Sequence, residues 1–328
     1  MEALQLTRSP SSADPTLTLA TLPIPALKHG HALVKIHYSY IHPSDRLNAK
    51  GLFPSTVFPR IPGRDFSGVV VDIASDDDEA KSWIGKEVYG SSGSALGFTT
   101  DGPHARYCLV PEEALVEKPS SLTLLQASTV GVPYTTALLC LRRAQTRKED
   151  IVLVLGATGA VGLAAVQIAK AMGCRTVLTA ARRAESHPDI LLDVEHSLQS
   201  RIPGLTKEHG VDVVIDAVGN IELMGAAIKQ LAVDGRYAWI AAPRGTASKE
   251  LTFDIFQAYR KAIQLVGCNT NLATMTKVMD DMRLLRQWFD EGLLRVQDEG
   301  AFNRVALEAA VEQGYLTAGK RVVIEMMA

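Results

Sequence analysis

Small residues at fixed spacing fill the stretch 156–162, which reads GATGAVG. A branched apolar run at 151–155 precedes it, and an amphipathic pattern that ends at Gly173 follows it. This order predicts a strand, a tight turn and a helix whose first backbone N–H groups are unpaired. Such a helix N-terminus favours an anion, because its N–H groups and the positive end of its dipole point the same way. A pyrophosphate needs small residues there, since larger side chains would hold it away.

The glycine spacing matches the pattern G-x-G-x-x-G with one departure. In register with it stand Ala157, Thr158, Gly159, Ala160, Val161 and Gly162. The first glycine is therefore alanine, and Gly156 stands one place earlier. Gly159 would allow the close backbone approach of a phosphate, and Gly162 a close contact between helix and strand. A second apolar run at 176–181 completes the order strand, turn, helix, strand, and this context predicts dinucleotide binding over an ordinary strand-to-helix turn.

The end of the second strand predicts which dinucleotide binds. An acidic residue about twenty positions past the glycines would bind the ribose 2′-OH of NAD(H). This chain has Ala181 there, followed by Arg182 and Arg183. Guanidinium groups suit bidentate recognition of phosphate, and Thr179 can add a hydroxyl, so we expect NADPH rather than NADH. The alternative is that both arginines are solvated loop charges. Glu185 is a mild signal for NADH instead, although it lies slightly too far along the chain.

Strands and helices continue to alternate after this segment. A strand is predicted at 211–217, a helix at 221–231, and further strands at 235–241 and 264–268. Alternation of this kind predicts a parallel sheet with right-handed crossovers. The predicted cofactor-binding set also includes residues beside these elements, namely Thr135, Val218, Gly219, Ala241, Gly267 and Cys268.

The first 115 or so residues read as β-rich. The segment 31–41 alternates between apolar and mixed positions, and further strands are predicted at 66–74, 86–89 and 104–110. A final strand at 320–326 is too short to form a domain and must pack onto this β-rich part. The dinucleotide-binding domain is then an insertion, and a cleft beside it would hold the nicotinamide and the substrate. The predicted catalytic domain comprises residues 1–118 and 271–328, and the predicted dinucleotide-binding domain comprises residues 119–270. The second part of the catalytic domain begins with a helix predicted at 271–292.

Composition excludes several classes of protein. The 328 residues are 47% hydrophobic with a net charge of −2, so no basic face indicates a nucleic-acid partner. No apolar run approaches the roughly 18 residues of a membrane span, and the N-terminus has no apolar signal region. The four cysteines form neither a disulfide ladder nor a C-x-x-C cluster. We expect a cytoplasmic protein with no membrane partner.

Several segments, taken in order, carry a resemblance to a known family. They are HPSDRLNAKG (42–51), IPGRDFSGVVVDI (61–73), IGKEVYG (84–90), DGPHARYCLVP (101–111), Thr136 with Ala137, GATGAVG (156–162), VDVVIDAVG (211–219) and GKRVVI (319–324). The chain resembles the medium-chain dehydrogenases/reductases, and among them the zinc-free quinone oxidoreductases and enoyl reductases. The resemblance implies an α/β fold with a GroES-like β-barrel catalytic domain plus a Rossmann domain with a doubly wound parallel sheet. It also implies hydride transfer from NADPH to a quinone or to the C=C bond of an α,β-unsaturated carbonyl.

The same resemblance argues against a metal. Zinc-dependent members have a cysteine where this chain has His42, and a histidine–glutamate pair where it has Arg64 and Asp65. His42 can ligate a metal and Arg64 cannot, whereas a catalytic zinc needs three protein ligands. No metal is therefore expected.

The resemblance also suggests catalytic residues. His42 stands where quinone reductases have an asparagine near the nicotinamide, and it can donate a hydrogen bond or a proton; otherwise it is a buried histidine satisfied by backbone. Tyr40 is a second candidate donor or a core tyrosine. Thr136 matches a threonine near the nicotinamide, and Thr135 is equally placed to reach it. Phe53 replaces the tyrosine proton donor of mitochondrial-type enoyl reductases.

Arg64 either lines the cleft or pairs with Asp45 or Asp65, and we favour pairing. The favoured function is that of an NADPH-dependent quinone or enone reductase, with a small molecule as substrate. The alternatives are a cofactor-binding scaffold or sensor with little turnover, and a biosynthetic enoyl reductase or cyclase. Relatives often pair through the edge strand of the Rossmann sheet, so a homodimer is a further expectation.

Overall fold

The computed structural model describes residues 1–9, 14–192, 197–243, 245, 247–317 and 319–326. The chain divides into two compact units. The split unit comprises Met1–Thr135 and Thr270–Ala328, and the inserted unit comprises Thr136–Asn269. The sequence places the first boundary earlier, between residues 118 and 119, where the pattern changes from strands to helices.

The split unit is built mainly from antiparallel strands. Its strands are β1 (Glu2–Thr7), β2 (Thr16–Thr21), β3 (His31–Ile41), β4 (Asp65–Ala74), β5 (Glu87–Gly90), β6 (Tyr107–Pro111), β13 (Asn303–Ala306) and β14 (Val322–Glu325). Its helices are α1 (Pro43–Ala49), α2 (Asp78–Lys81), α3 (Leu124–Ala127) and α9 (Met275–Asp290), and α4 (Gly131–Arg143) begins there and continues into the inserted unit.

The long strand β3 organises the main sheet of this unit. The strand order is β13-β14-β3-β4-β5, with β6 also paired to β3. Alternate residues of β3 from Ala32 to Ile36 are buried, as its sequence pattern predicts. The pairing of Val322 with Ile41 confirms that the last strand packs onto the N-terminal β-rich part.

Helix α3 packs with the split unit, which accounts for the later boundary. Leu125 forms a buried apolar cluster with Tyr40 and Val323. The hydroxyl of Ser67 on β4 donates to the carbonyl of Leu124 at 2.6 Å. Residues beyond 118 are therefore tied to strands that lie far from them in the sequence.

The inserted unit is a parallel sheet with interleaved helices. Its strands are β7 (Ile151–Leu155), β8 (Thr176–Ala181), β9 (Ile190–Leu191), β10 (Val211–Asp216), β11 (Leu231–Trp239) and β12 (Gln264–Gly267). Its other helices are α5 (Ala160–Ala171), α6 (Ser197–Thr206), α7 (Ile221–Lys229) and α8 (Ile255–Arg260). The strand order is β12-β11-β10-β7-β8-β9, and every pair in it is parallel. The α/β fold class predicted from the sequence is confirmed.

Several elements differ from the sequence prediction. Strand β11 begins at Leu231 rather than at 235, so the preceding helix ends earlier, at Lys229. Helix α1 was not predicted, although Pro43 at its first position is a typical start signal. Among the described residues, no helix has the length and apolar character to cross a bilayer.

Candidate functional site

The turn between β7 and α5 brings backbone against backbone. A Cβ atom on Gly162 would lie 2.1 Å from the carbonyl oxygen of Gly156. Gly156 itself has a φ of +78°, which favours glycine, and a Cβ there would lie 2.9 Å from a methyl carbon of Val218. Helix α5 therefore starts directly at the carboxyl end of β7. Its N-cap is Gly159, which has no side chain to accept from the first N–H groups, so this turn fits an anion.

A cleft of about 1030 Å³ opens at this turn. Its walls include predicted cofactor residues, namely Gly156, Thr158, Gly159, Arg182, Arg183 and Val218. It continues along α6 and α7, where Leu198, Ile221 and Leu251 supply an apolar wall. Asn220 also lines the cleft and caps the N-terminus of α7, and we did not predict it from the sequence. The cleft has the size and the mixed lining of a nucleotide site.

Two arginines on the cleft have no anionic partner within the described chain. Arg182 and Arg183 follow β8 directly and are exposed. Neither guanidinium makes a hydrogen bond or an ion pair with a described residue. Both are therefore free to bind an anion that enters the cleft.

Thr179 has a different role from the one expected. Its hydroxyl and its backbone N–H both donate to the Asp189 carboxylate, each at 2.8 Å. Thr179 is not among the residues that line the cleft, and its hydroxyl group donates to Asp189 rather than facing a bound cofactor. No sequence pattern indicates this pairing, because Asp189 lies in the connection before the short strand β9.

The loop after β10 is held by a buried carboxylate. One oxygen of Asp216 accepts from the N–H groups of Val218 at 2.7 Å and Gly219 at 3.1 Å, and the other accepts from the Tyr237 hydroxyl at 2.8 Å. Burial raises the pKa of Asp216, while the three donors favour its charged form. Asp216 thus fixes a loop that borders the cleft. The signal for it was present in VDVVIDAVG, as an acidic residue ending an apolar strand.

The other predicted cofactor residues of the inserted unit are not among those that line the cleft. A Cβ atom on Gly219 would lie 2.5 Å from the Ala241 carbonyl carbon, and the N–H of Cys268 donates to Trp239 at 2.9 Å. These contacts place Ala241, Gly267 and Cys268 at the carboxyl ends of β11 and β12. The remaining members, Ala157, Ala160, Val161 and Gly162, lie in the turn and in the first turn of α5.

A buried polar cluster lies in the split unit. His42 is the N-cap of α1, and its Nε2 atom lies 2.7 Å from a carboxylate oxygen of Asp65. The same oxygen accepts from the N–H of Val132 at 2.6 Å, whereas the other oxygen of Asp65 has no partner among the described residues. Both side chains are almost fully buried. The partner of His42 is thus a carboxylate, and the alternative that backbone alone satisfies it is wrong.

Arg64 does not pair with an acid, and the favoured expectation is wrong. Its Nε donates to the Ser92 hydroxyl at 2.8 Å, and its two terminal nitrogens donate to Ser44 and Asn271, each at 3.2 Å. All three acceptors are neutral, and no described carboxylate lies within ion-pair distance of Arg64. Burial lowers the pKa of Arg64, and the charges of the nearby Asp45 and Asp65 oppose that effect.

Asp45 caps the N-terminus of α1. Its carboxylate accepts from the N–H of His42 at 2.7 Å, which caps α1. Burial raises the pKa of Asp45 to about 6. The cluster around His42 therefore holds two carboxyl groups in unlike environments.

The other predicted catalytic residues are packed in the interior. The Tyr40 ring contacts the His42 ring edge-on at 4.6 Å, and burial raises the pKa of Tyr40. Thr136 is buried in α4, and the Thr135 hydroxyl donates to the Gly131 carbonyl at 2.7 Å within the same helix. Tyr40 and His42 are thus together in the split unit, while Thr136 is the first residue of the inserted unit.

The described residues do not fit a zinc ion. No group of three or more histidine, cysteine, aspartate or glutamate side chains is placed to hold a metal in the part of the chain that the structure covers. The two possible zinc ligands in this cluster, His42 and Asp65, are bonded to each other. Arg64, which precedes Asp65, cannot ligate a cation and donates to Ser92 instead.

Comparisons with known proteins agree with this architecture. Residues 28–120 match the family described as the alcohol dehydrogenase GroES-like domain, and residues 160–283 match the family described as zinc-binding dehydrogenase. A zinc-type alcohol dehydrogenase-like protein of Schizosaccharomyces pombe is 42% identical over 296 residues, which cover 90% of this chain and 87% of the relative.

Two further relatives cover most of the chain. A quinone oxidoreductase of Pongo abelii is 29% identical, with 74% of this chain and 78% of the relative covered. The crystal structure of an alcohol dehydrogenase superfamily protein from Novosphingobium aromaticivorans superposes with a TM-score of 0.82 at 22% identity, over the whole of both chains. Both matched domains, the strand order and these relatives lead to one assignment. The chain is an oxidoreductase of the medium-chain dehydrogenase/reductase superfamily, which uses nicotinamide cofactors, and it belongs to the quinone oxidoreductase-like branch.

Proposed function

We propose that this protein is an NADPH-dependent, zinc-independent reductase of a quinone or of an α,β-unsaturated carbonyl compound. The observation that carries the proposal is the pair Arg182 and Arg183, which line the cleft at the glycine turn without an anionic partner among the described residues. The likeness to a quinone oxidoreductase supports the substrate class.

The inserted unit supplies the residues for the dinucleotide. The turn at Gly156 and Gly159 would hold the pyrophosphate at the start of α5, and the two arginines would hold the 2′-phosphate. Asp216 keeps the neighbouring loop in place. The cofactor, when bound, supplies a hydride.

The split unit supplies positive charge and a proton donor. The bond to Asp65 fixes the His42 ring through Nε2. With Nε2 bonded to Asp65, a donor role toward a developing oxyanion would fall to Nδ1, which faces the backbone N–H of Asp45 at the start of α1. Arg64 has five N–H groups, of which three bond to described neutral oxygens, so its charge is not cancelled by a direct ion pair.

Replacing both arginines on the cleft tests the cofactor assignment. In Arg182→Ala/Arg183→Ala, we expect the Kd of NADPH to rise by about tenfold to several hundredfold, because hydrogen bonds between charged groups are lost. The Kd of NADH should change by less than about threefold. Calorimetry with both nucleotides measures this. The matched control is Arg175→Ala, an exposed arginine just before β8, which should leave both affinities unchanged. Equal weakening of both nucleotides would refute the 2′-phosphate assignment.

Substitutions around His42 test the proton donor. We expect His42→Ala to lower kcat by roughly 10²–10⁴-fold, the usual range for a general acid. Asp65→Asn should also lower kcat, because the carboxylate that fixes the His42 ring is gone. The control is His29→Ala, which removes an exposed histidine outside this cluster and should leave kcat unchanged. Thermal unfolding and NADPH affinity show that each variant is folded. An unchanged kcat in both His42→Ala and Asp65→Asn would remove the pair from the mechanism.

A chelator tests zinc independence. The relative from Schizosaccharomyces pombe is named a zinc-type protein, whereas the side chains around His42 do not suit zinc. We expect prolonged treatment with EDTA to leave both kcat and the melting temperature unchanged. Elemental analysis of the purified protein should give much less than one zinc per chain. Stoichiometric zinc that is lost together with activity would contradict the proposal.

We further propose a homodimer that forms through β12. This strand is the last in the order of the described sheet, so one of its edges is open. Large apolar side chains are exposed on the adjoining α8, where Phe256 is 57% and Tyr259 is 65% exposed. Val233 on β11 is 67% exposed. An open edge beside exposed aromatic rings suits pairing with a second copy of the same strand.

Sedimentation equilibrium tests the dimer. We expect the unmodified protein to have twice the mass of one chain, and Phe256→Glu/Tyr259→Glu to have the mass of one chain, because charge would be buried against charge. The control is Leu316→Glu in the split unit, where an equally exposed leucine (70%) lies far from α8 in the sequence, and it should stay dimeric. A monomeric unmodified protein would reject the interface.

A further inference from the structure

Two arginines are buried among the described residues, and only one of them has an acid as its direct partner. Arg236 lies 2.8 Å from the Asp150 carboxylate. Arg64 is 4% exposed, and no described carboxylate lies within ion-pair distance of it. A buried charge without such a partner is costly, because the protein interior solvates it poorly. The split unit therefore holds a positive charge that none of its described acids pairs directly.

The two acids that act on Arg64 through space are bonded elsewhere. The Asp45 carboxylate accepts from the N–H of His42 at 2.7 Å, and the Asp65 carboxylate lies 2.7 Å from Nε2 of His42. Burial lowers the pKa of Arg64, whereas the charges of Asp45 and Asp65 raise it. A guanidinium stays protonated at neutral pH in either case. Arg64 thus remains a cation whose direct hydrogen bonds go to neutral groups.

Three neutral oxygens hold the guanidinium and leave part of it open. The Nε atom donates to the Ser92 hydroxyl at 2.8 Å, and the two terminal nitrogens donate to Ser44 and Asn271, each at 3.2 Å. These bonds use one N–H on each nitrogen, and a guanidinium has five. One N–H on each terminal nitrogen therefore has no partner among the described residues. The two oxygens of a carboxylate match such a pair of donors.

The guanidinium is held by three segments of the split unit, namely α1, the connection after β5 and the segment before α9. The Ser92 hydroxyl, which accepts from Arg64, donates in turn to the Gly93 carbonyl at 3.0 Å. The N–H of Ser94 donates to the Ala273 carbonyl at 2.9 Å, which ties the second segment to the third. The remaining N–H groups are thus oriented before a ligand binds, and this lowers the entropic cost of binding.

An aromatic wall stands beside the cation. The guanidinium carbon of Arg64 lies 5.5 Å from the centre of the Phe98 ring, and the Phe53 ring lies 5.3 Å from the Phe98 ring. The N–H of Val57 donates to the Phe98 carbonyl at 2.9 Å, which fixes this wall. Phe98 is buried, whereas Phe53 is only half-buried. A cation next to a partly open aromatic surface suits a ligand that joins a flat apolar body to an anionic group.

We propose that Arg64 determines substrate specificity by binding a carboxylate, and that the substrate is an aromatic α,β-unsaturated ketone which carries that carboxylate. The inference rests on the proposed reductase function for the reaction itself. In that reaction a hydride from NADPH and a proton add across the C=C bond, NADPH is oxidised to NADP⁺, and the carboxylate is unchanged. The charge of Arg64 thus selects the substrate, and the reduced bond lies in another part of the same molecule.

Calorimetry with two saturated, unreactive ligands tests the site without turnover. Benzoylpropionate carries a carboxylate, and benzoylpropionamide has a neutral amide of nearly the same shape. We expect unmodified protein to bind the carboxylate at least about tenfold more tightly, because hydrogen bonds between charged groups are stronger than those to neutral groups. Equal Kd values for the two ligands would overturn the proposal.

Substitutions assign this preference to one residue. Arg64→Gln should bind both ligands with nearly equal Kd, because the charge is gone. Arg64→Lys keeps a buried charge but lacks the planar fork, so its preference should fall clearly below that of unmodified protein. The matched control is Arg60→Gln in the same unit, since Arg60 is already paired with Asp101 at 2.9 Å, and it should keep the full preference.

A second control excludes the dinucleotide cleft as the carboxylate site. Arg182→Ala/Arg183→Ala should keep the full preference, because both arginines belong to the inserted unit. Thermal unfolding shows which variants are folded. A full preference in Arg64→Gln, or in Arg64→Lys if the glutamine variant does not fold, would overturn the proposal.

Turnover separates a failure of this inference from a failure of the proposed function. With NADPH, benzoylacrylate should be reduced with a kcat/KM at least about tenfold above that of benzoylacrylamide, and the difference should vanish in Arg64→Gln. A binding preference without NADPH oxidation by either compound would support the carboxylate site and reject the reductase. Reduction of both compounds with equal kcat/KM would support the reductase and reject the carboxylate site.

Discussion

The close approach of α5 to β7 is the constraint on which the nucleotide half of the molecule depends. With a Cβ atom on Gly162, the side chain would overlap the carbonyl of Gly156, so the helix can begin at the end of the strand only with glycine there. Because β8 and β10 flank β7 in the sheet, their carboxyl ends lie on either side of this turn. Arg182 and Arg183 come from one side and the loop fixed by Asp216 from the other. One short backbone contact thus gathers residues from three strands around one cleft.

The split unit buries several charged or titratable side chains close together. His42, Asp45, Arg64 and Asp65 are all less than 5% exposed, and isolated buried charges are costly. Each is held by hydrogen bonds: Asp45 caps α1, Asp65 binds His42 and Val132, and Arg64 binds three neutral oxygens. The second oxygen of Asp65 has no described partner and lies close to Gly131, where a Cβ atom would be 2.5 Å away. A cluster retained at such cost supports a role in chemistry rather than in packing.

The sequence predicted the elements better than the contacts between side chains. The alternation in β3 and the order strand, turn, helix, strand around Gly159 are local patterns, and local patterns fix which segments form strands and helices. The pairing of His42 with Asp65 joins two strands and a helix, and that of Thr179 with Asp189 crosses a loop. Such contacts depend on side-chain direction and on strand register, which periodicity does not determine. For the same reason, the predicted ion pair of Arg64 with an aspartate is wrong, and Arg64 donates instead to serine and asparagine oxygens.

Arginine shows how the surroundings decide the role of one residue type in this chain. Arg236 is buried 2.8 Å from the Asp150 carboxylate, so its charge is balanced within the inserted unit and its role is structural. Arg143 lowers the pKa of the Cys268 thiol, so its charge acts on a neighbouring group rather than on an acid. Arg182 and Arg183 have neither kind of partner among the described residues and stand on a cleft at a helix N-terminus. A guanidinium that the fold itself does not neutralise is available to an anion from outside, and the cleft beside Gly159 is where such an anion gains the most from the backbone.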